Sequence, residues 1–394
     1  MDGQPADDGA TWLAAARRLE PLVRSVSDRF DRERTLPEEL VDAIGQAGLF
    51  GLWLPRALGG PELPVLPFLE VMEELARQDG SAGWCAAIPA GYARLAGALD
   101  PEVAATVFRT GRGILTGTLN PTGTARAVPG GYRVTGRWGY GSFTFWADWV
   151  LGNCITHDDS GPRQDSDGGP AFRLCLFPRR DVELFDNWHV GGLRGTGSID
   201  YQVTDVFVPE AFSIPLDGFN PAPRQPGILY QVPMLSTFSP CLAMVTLGIA
   251  RAAIESLIEI AAGKTPMGSR TVLREKVVAQ VDLARAEGLV RSGRAWLFDE
   301  LGGLWHGYLA GRPATLRQRA LVRLAAVQAT QFAIQAVDLM YAAAGGAALF
   351  EGGRLERCFR DAHAAGQHVA LSPYGGWEPM GRILFGLEPG IARF

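Results

Sequence analysis

The stretch Trp188-His189-Val190-Gly191-Gly192-Leu193-Arg194-Gly195-Thr196-Gly197-Ser198, followed by Val206-Phe207-Val208-Pro209-Glu210, decides the fold of this chain. Its glycines permit close backbone approach to a flat ligand, and Thr196 and Ser198 offer hydroxyl and amide donors. Taken alone, the segment is a glycine-rich turn entering a strand. Ile199, Tyr201 and Val203 share one face of that strand, opposite Asp200, Gln202 and Thr204. It is not a dinucleotide fingerprint, because no helix follows and the GxGxxG spacing fails. Gly111-Arg112-Gly113 fails the same test, since it joins a helix to a strand.

Working outward, the β character extends from about Ile114, with Tyr132-Arg133-Val134-Thr135 alternating and a short apolar run at 172–177. The polar segment 157–170 (HDDSGPRQDSDGGP) reads as a mobile surface loop between strands. Before this region the chain is helical. Trp12, Leu13, Ala16, Leu19, Val23, Val26 and Phe30 repeat at helical spacing, Pro37 opens a helix with Glu38 and Glu39 in its first turn, and further helices cover about 66–77 and 83–99. After Pro240 helices return over roughly 242–262, 272–301, 314–344 and 354–368, with Ala, Leu and Val on one stripe, as in a bundle. The order predicts three domains: 1–113 helical, 114–220 β, 221–394 a helical bundle.

The chain has 394 residues, a net charge of −5 and 47% hydrophobic residues. Such a balance excludes a nucleic-acid surface, and a chain this long buries a large core without staples. The start, MDGQPADDGATW, holds no basic-then-apolar leader, and the most apolar run, 241–253, is too short to span a bilayer. Five scattered cysteines (Cys85, Cys154, Cys175, Cys241, Cys358) form no CxxC pair, which points to a reduced cytoplasm rather than a zinc site or disulfide framework.

The segment 188–209 resembles the β-domain signature of acyl-CoA dehydrogenase-fold flavoproteins. Other pieces agree in order: Leu49-Phe50-Gly51-Leu52-Trp53-Leu54-Pro55 with Leu58-Gly59-Gly60, Gly136-Arg137-Trp138 with Ala147-Asp148-Trp149, then Gly345-Gly346 and Arg360-Asp361-Ala362. The resemblance covers nearly the whole chain. It implies an α+β architecture with an N-terminal helical domain, a central antiparallel β-barrel-like domain and a C-terminal four-helix bundle. Gly80-Ser81-Ala82-Gly83-Trp84, the segment 192–198, and Arg360-Asp361-Ala362-His363 with His368 are similar to the flavin-dependent monooxygenase branch, which includes two-component aromatic hydroxylases and nitrososynthases.

A dehydrogenase of this fold needs a carboxylate to strip a proton from carbon. The family places it shortly after the RDA-like segment or at the start of the first C-terminal helix. The first location holds His368 and Val369, and no Asp or Glu occurs in 218–254. His363 and His368, read on one helix, point some 140° apart, so metal binding is not expected. The resemblance therefore implies an oxygenase component that takes reduced FAD or FMN from a separate flavin reductase and uses O2 through a C4a-hydroperoxyflavin. It implies His368 and Ser142 as catalytic residues, and Trp138, Leu119, Asn120, Thr196 and Ser198 lining the flavin. Gly345 and Gly346 would act across an interface of a homotetramer or homodimer. Phe143, Thr144, Phe145 and Trp146 after Ser142 suggest an aromatic-lined pocket. The expected substrate is an aromatic or polycyclic small molecule. The alternatives are an N-oxygenase acting on an amine or amino sugar, an acyl-CoA dehydrogenase, and a flavin-binding protein without activity.

Overall fold

The computed structural model describes residues 9–165, 168–217 and 220–391. Most of the acidic start read above for a leader lies outside them. Six helices open the chain: α1 (Ala10–Arg18), α2 (Glu20–Glu33), α3 (Glu38–Gln46), α4 (Val65–Gln78), α5 (Gly80–Tyr92) and α6 (Pro101–Phe108). α5 stops before the expected end, and the chain tightens into a 3-10 turn over Ala93–Ala98. Asp79 caps α5, its carboxylate accepting from the amides of Ser81 and Ala82 at 2.8 and 3.2 Å. Gly83 lets α5 press on α4, since a Cβ there would stand 2.6 Å from the Ala76 backbone.

The sheet follows: β1 (Leu115–Val128), β2 (Gly131–Gly141), β3 (Trp149–Asp158), β4 (Gly161–Pro162), β5 (Phe172–Pro178), β6 (Glu183–Phe185), β7 (Ile199–Pro209), β8 (Ser213–Asp217) and β9 (Asn220–Pro221). Its order is β6-β7-β2-β1-β3-β5-β8-β9, with β4 beside β3. The sheet is mixed rather than antiparallel throughout. After the β1–β2 hairpin the chain crosses to the free side of β1, so β3 joins it in parallel. The polar segment expected as a loop begins as a hairpin: β4 pairs β3 through His157 and Pro162, and Asp158 holds the turn by accepting from the Ser160 amide and hydroxyl. Residues 166 and 167 of that segment lie outside the described residues.

The second helical part comprises α7 (Ile228–Gln231), α8 (Met234–Gly263), α9 (Val277–Leu309), α10 (Leu316–Ala344), α11 (Arg354–Ala365) and α12 (Pro373–Leu384). α8 starts at Met234, well before Pro240, which sits inside it. The apolar run judged too short to cross a bilayer is therefore part of a 30-residue helix. By length and composition α8 and the α10 region would each suffice for a span, but the apolar window of α8 is 83% buried within the protein, as befits its core helix. The corresponding window around α10 is only 33% buried. α9 runs past the expected end near 301, through Gly302 and Gly303, to Leu309. α12 was hidden by Pro373, Gly375, Gly376, Pro379 and Gly381, all helix-unfavourable residues.

Candidate active site

The glycine-rich segment is where the three parts of the chain meet. Leu193 and Gly197 both take left-handed backbone angles (φ 52 and 51°) around a 3-10 turn. A Cβ on Gly192 would stand 2.1 Å from the Arg360 carbonyl oxygen, and one on Gly195 would stand 2.7 Å from Phe30. These glycines admit neighbouring protein rather than a ligand, which differs from the expected role. Asp361 locks the junction by accepting the Leu193 amide at 2.6 Å. Burial, and then the adjacent Asp79, push the Asp361 carboxyl up to about 7.

That turn delivers Thr196 and Ser198 to Ser142. The Phe143 amide donates to the Thr196 carbonyl at 2.8 Å, and the Ser142 and Ser198 hydroxyl oxygens lie 2.7 Å apart. Ser198 and Thr196 are likewise 2.7 Å apart, and Trp84 Nε1 donates to Ser142 Oγ at 3.1 Å. Thr196 spends its proton on the Leu193 carbonyl at 2.8 Å, which fixes the direction of the whole chain. Protons run from Trp84 to Ser142 to Ser198 to Thr196. Ser142 is thus left with a lone pair and no proton to give.

His368 stands across Trp84, ring edge to face, with centroids 5.6 Å apart, and 6.1 Å from Phe238 of α8. It does not lie in α11, as the sequence suggested. That helix ends at Ala365, and at Gly366 the chain passes into i to i+3 turns, with the His368 amide bonded to the Ala365 carbonyl at 3.1 Å. Beyond the helix the Ala370 amide is free to donate to His368 Nδ1 at 3.1 Å. An accepting Nδ1 places the single ring proton on Nε2. The residue is half-buried, and burial of the ring holds its pKa down to about 4. The ring is a neutral donor.

No carboxylate on the neighbouring part of α8 answers it. The first acid along that helix, Glu255, is paired with Arg77 at 3.1 Å and Arg354 at 3.0 Å. His363 is separate: it binds Asp338 at 2.9 Å on the partly exposed face between α10 and α11.

Trp138, expected to line the flavin, is a core residue with no exposed surface, and its Nε1 donates to the Asn153 carbonyl at 2.9 Å. Tyr140 is exposed in its stead (76%), with a left-handed backbone (φ 63°) and its ring edge-on to Trp188. Phe143 packs in the core on Phe50, and Trp146 donates to Thr35, whereas the rings grouped with His368 are Trp84 and Phe238, the latter stacked on Tyr92. Neither Trp84 nor Phe238 was selected from sequence as a site residue. Trp84 was open to notice as the one indole in a small-residue helix, whereas Phe238 carried no signal. Leu119 and Asn120 sit at a bulge of β1, where pairing with β3 jumps from Thr118 to Gly123. Gly345 and Gly346 end α10 beside Lys264, which caps the Ala344 carbonyl. From Phe238 to Lys264, α8 rises roughly 39 Å at 1.5 Å per residue. Within one chain these glycines are remote from His368.

A flavin fits this arrangement. The irregular backbone at the β1 bulge, the orphaned Asn153 Oδ1, the exposed Tyr140 with Trp188 edge-on to it, and the Ser142 lone pair are partners for a flat heterocycle with polar edges.

The fold and site define a flavoenzyme of the acyl-CoA dehydrogenase type that lacks the dehydrogenase base. Residues 13–96 and 240–373 match the acyl-CoA dehydrogenase N-terminal and C-terminal domain families. The chain is 32% identical over 386 residues to an indole-3-acetate monooxygenase of Pseudomonas putida, covering 96% of each. Solved structures similar to it include the HsaA monooxygenase of M. tuberculosis (27% identity, 98% of this chain and 99% of that one, TM-score 0.87). XiaF from Streptomyces sp., in complex with FADH2 and glycerol, is also similar (27% identity, 98% of each chain, TM-score 0.89). The chain belongs to the flavin-dependent monooxygenases of the acyl-CoA dehydrogenase fold. It is an oxygenase component, and its reagents are reduced flavin and O2.

Proposed function

We propose that this protein inserts one oxygen atom into an electron-rich aromatic ring of the indole or phenol class, with Ser142 and His368 as its catalytic pair. The pairing of a proton-poor Ser142 with a neutral His368 Nε2–H carries this reading. Reduced flavin, when bound, supplies the electrons that activate O2. Ser142 would offer its lone pair to an N–H of the reduced ring, and His368 would offer its Nε2–H to an oxygen atom of the reactants. Trp84 and Phe238 keep water away from both. Neither residue can strip a proton from carbon as a carboxylate does, so oxygen transfer is favoured over desaturation. The relatives' aromatic substrates support a ring as the target.

A separate reductase delivers the flavin, and the chain works as a homotetramer in a reducing cytoplasm. Supporting this are the sparsely covered apolar face of α10, the 39 Å gap that only a second copy would bridge with Gly345 and Gly346, and five buried free cysteines. The test is turnover of indole with NADH, FAD and a flavin reductase. The reading requires oxygenated product in wild type and, in His368→Ala, continued NADH use that yields hydrogen peroxide in its place. Product formed equally by the variant refutes it.

A further inference from the structure

Arg94 is a walled-in cation without a counter-charge. It sits in the turn after α5, 4% exposed. Nη1 donates to Thr237 Oγ1 at 2.5 Å, and Nη2 to the carbonyls of Leu229 and Val232 at 2.9 and 2.6 Å. All three acceptors are neutral. Among the described residues no carboxylate pairs with it, and the only ionisable groups that bear on it are Tyr230 and Tyr308. Burial accordingly lowers its pKa to about 10. The arginines that tie α2, α4 and α11 together are built differently: Arg77 meets Glu20 and Glu74, Arg357 meets Asp28 and Asp79, and Arg360 meets Asp31 and Glu356.

Its place relative to the site is informative. Thr237 precedes Phe238, whose ring stacks on Tyr92 at 5.9 Å and stands 6.1 Å from His368. Through Thr237 the guanidinium is tied to the residue next to that ring. A guanidinium has five N–H donors, and the bonds above use three. A clasp between the turn and the α7–α8 joint needs only donors, which a neutral side chain supplies without burying a charge.

We propose that Arg94, with Thr237 beside it, recognises the carboxylate of an aromatic acid. The ring lies along Trp84, Phe238 and Tyr92, its oxidised edge toward Ser142 and His368 and its acidic side chain toward Arg94. The proposal rests on the aromatic-oxygenase reading and names the substrate class within it.

Two acids and their neutral counterparts test it on the full chain: indole-3-acetate against 3-methylindole, and 4-hydroxyphenylacetate against 4-methylphenol. Binding is read by titration calorimetry and oxygenation by mass spectrometry of reductase-coupled reactions. Wild type binds at least one acid about 30-fold or more tightly than its neutral counterpart, the scale of a charged hydrogen bond. Arg94→Gln abolishes that preference while changing the neutral ligand's affinity by less than about threefold, and Arg94→Lys keeps most of it. Equal wild-type binding of acid and neutral ligand, or a loss in Arg94→Gln shared by both, overturns the proposal and leaves a mere clasp. If Arg94→Gln fails to fold, the wild-type preference and its retention in Arg94→Lys decide alone. Oxygenation without acid preference sinks Arg94 and spares the aromatic reading, whereas preferential binding without oxygenation of any probe does the reverse.

Discussion

His368 should remain uncharged throughout the physiological range. Its Nδ1 accepts the Ala370 amide, so protonation there breaks a bond as well as placing a charge among Trp84 and Phe238. The ring's pKa of about 4, against an ordinary 6.5, carries a stability cost with a defined sign. Between those values the unfolded chain binds more proton than the folded one, so stability falls as pH falls from 6.5 toward 4 and is unaffected by this group above 6.5. At pH 4.5 the difference amounts to roughly 2.5 kcal/mol relative to neutral pH. Urea unfolding of wild type and His368→Asn at pH 7.5 and 4.5 reads it, wild type losing about that much more than the variant. Direct evidence comes from ring 15N spectra of histidine-labelled protein, simple because the chain has five histidines. The signal missing in the variant should show the Nε2–H tautomer and no titration between about pH 6 and 8. A titration midpoint near 6.5, or a proton on Nδ1, would refute the reasoning.

Ser142→Ala should strand the buried Trp84 N–H and reverse no other bond, costing about 1–3 kcal/mol in unfolding free energy and lowering product formed per NADH consumed. Unchanged coupling would remove Ser142 from the catalytic pair. His363→Ala should leave turnover intact and change stability by under ~1 kcal/mol, since its contact with Asp338 is partly solvated; a large fall in turnover counts against its separate placement. Asp361 is raised to about 7 by burial and Asp79, so the folded chain holds a proton that the unfolded chain gives up, and stability declines as pH rises from about 4 toward 7. Asp361→Asn, which keeps an acceptor for the Leu193 amide, should flatten that decline in melting temperature against pH. A slope identical to wild type would place the proton elsewhere.

The order of helices, sheet and helices was legible because hydrophobic period changes where buried faces change; Thr196 and Ser198 stood out as hydroxyls entering a strand, but their row with Ser142 came only from the fold. Trp138 was misplaced for a local reason. Strand alternation puts Trp138 and Tyr140 on one face, but Tyr140 adopts a left-handed backbone and the β2–β7 register slips between Trp138 and Gly141. The two rings then part, one into the core and one outward.

The histidines show the same limit from the other side. Read as one helix, His363 and His368 were separated by an angle; in the fold they are separated by a helix end. Inside α11 the amides ahead are consumed by the helix, as the Gly366 amide is by the Ala362 carbonyl. Past Gly366 the Ala370 amide has no such partner, turns onto Nδ1 and selects the tautomer. The protonation state of the site therefore depends on where the backbone leaves i to i+4 bonding. Periodicity places the helix within a few residues, and that uncertainty spans the whole interval between a surface contact with Asp338 and a neutral donor packed against Trp84.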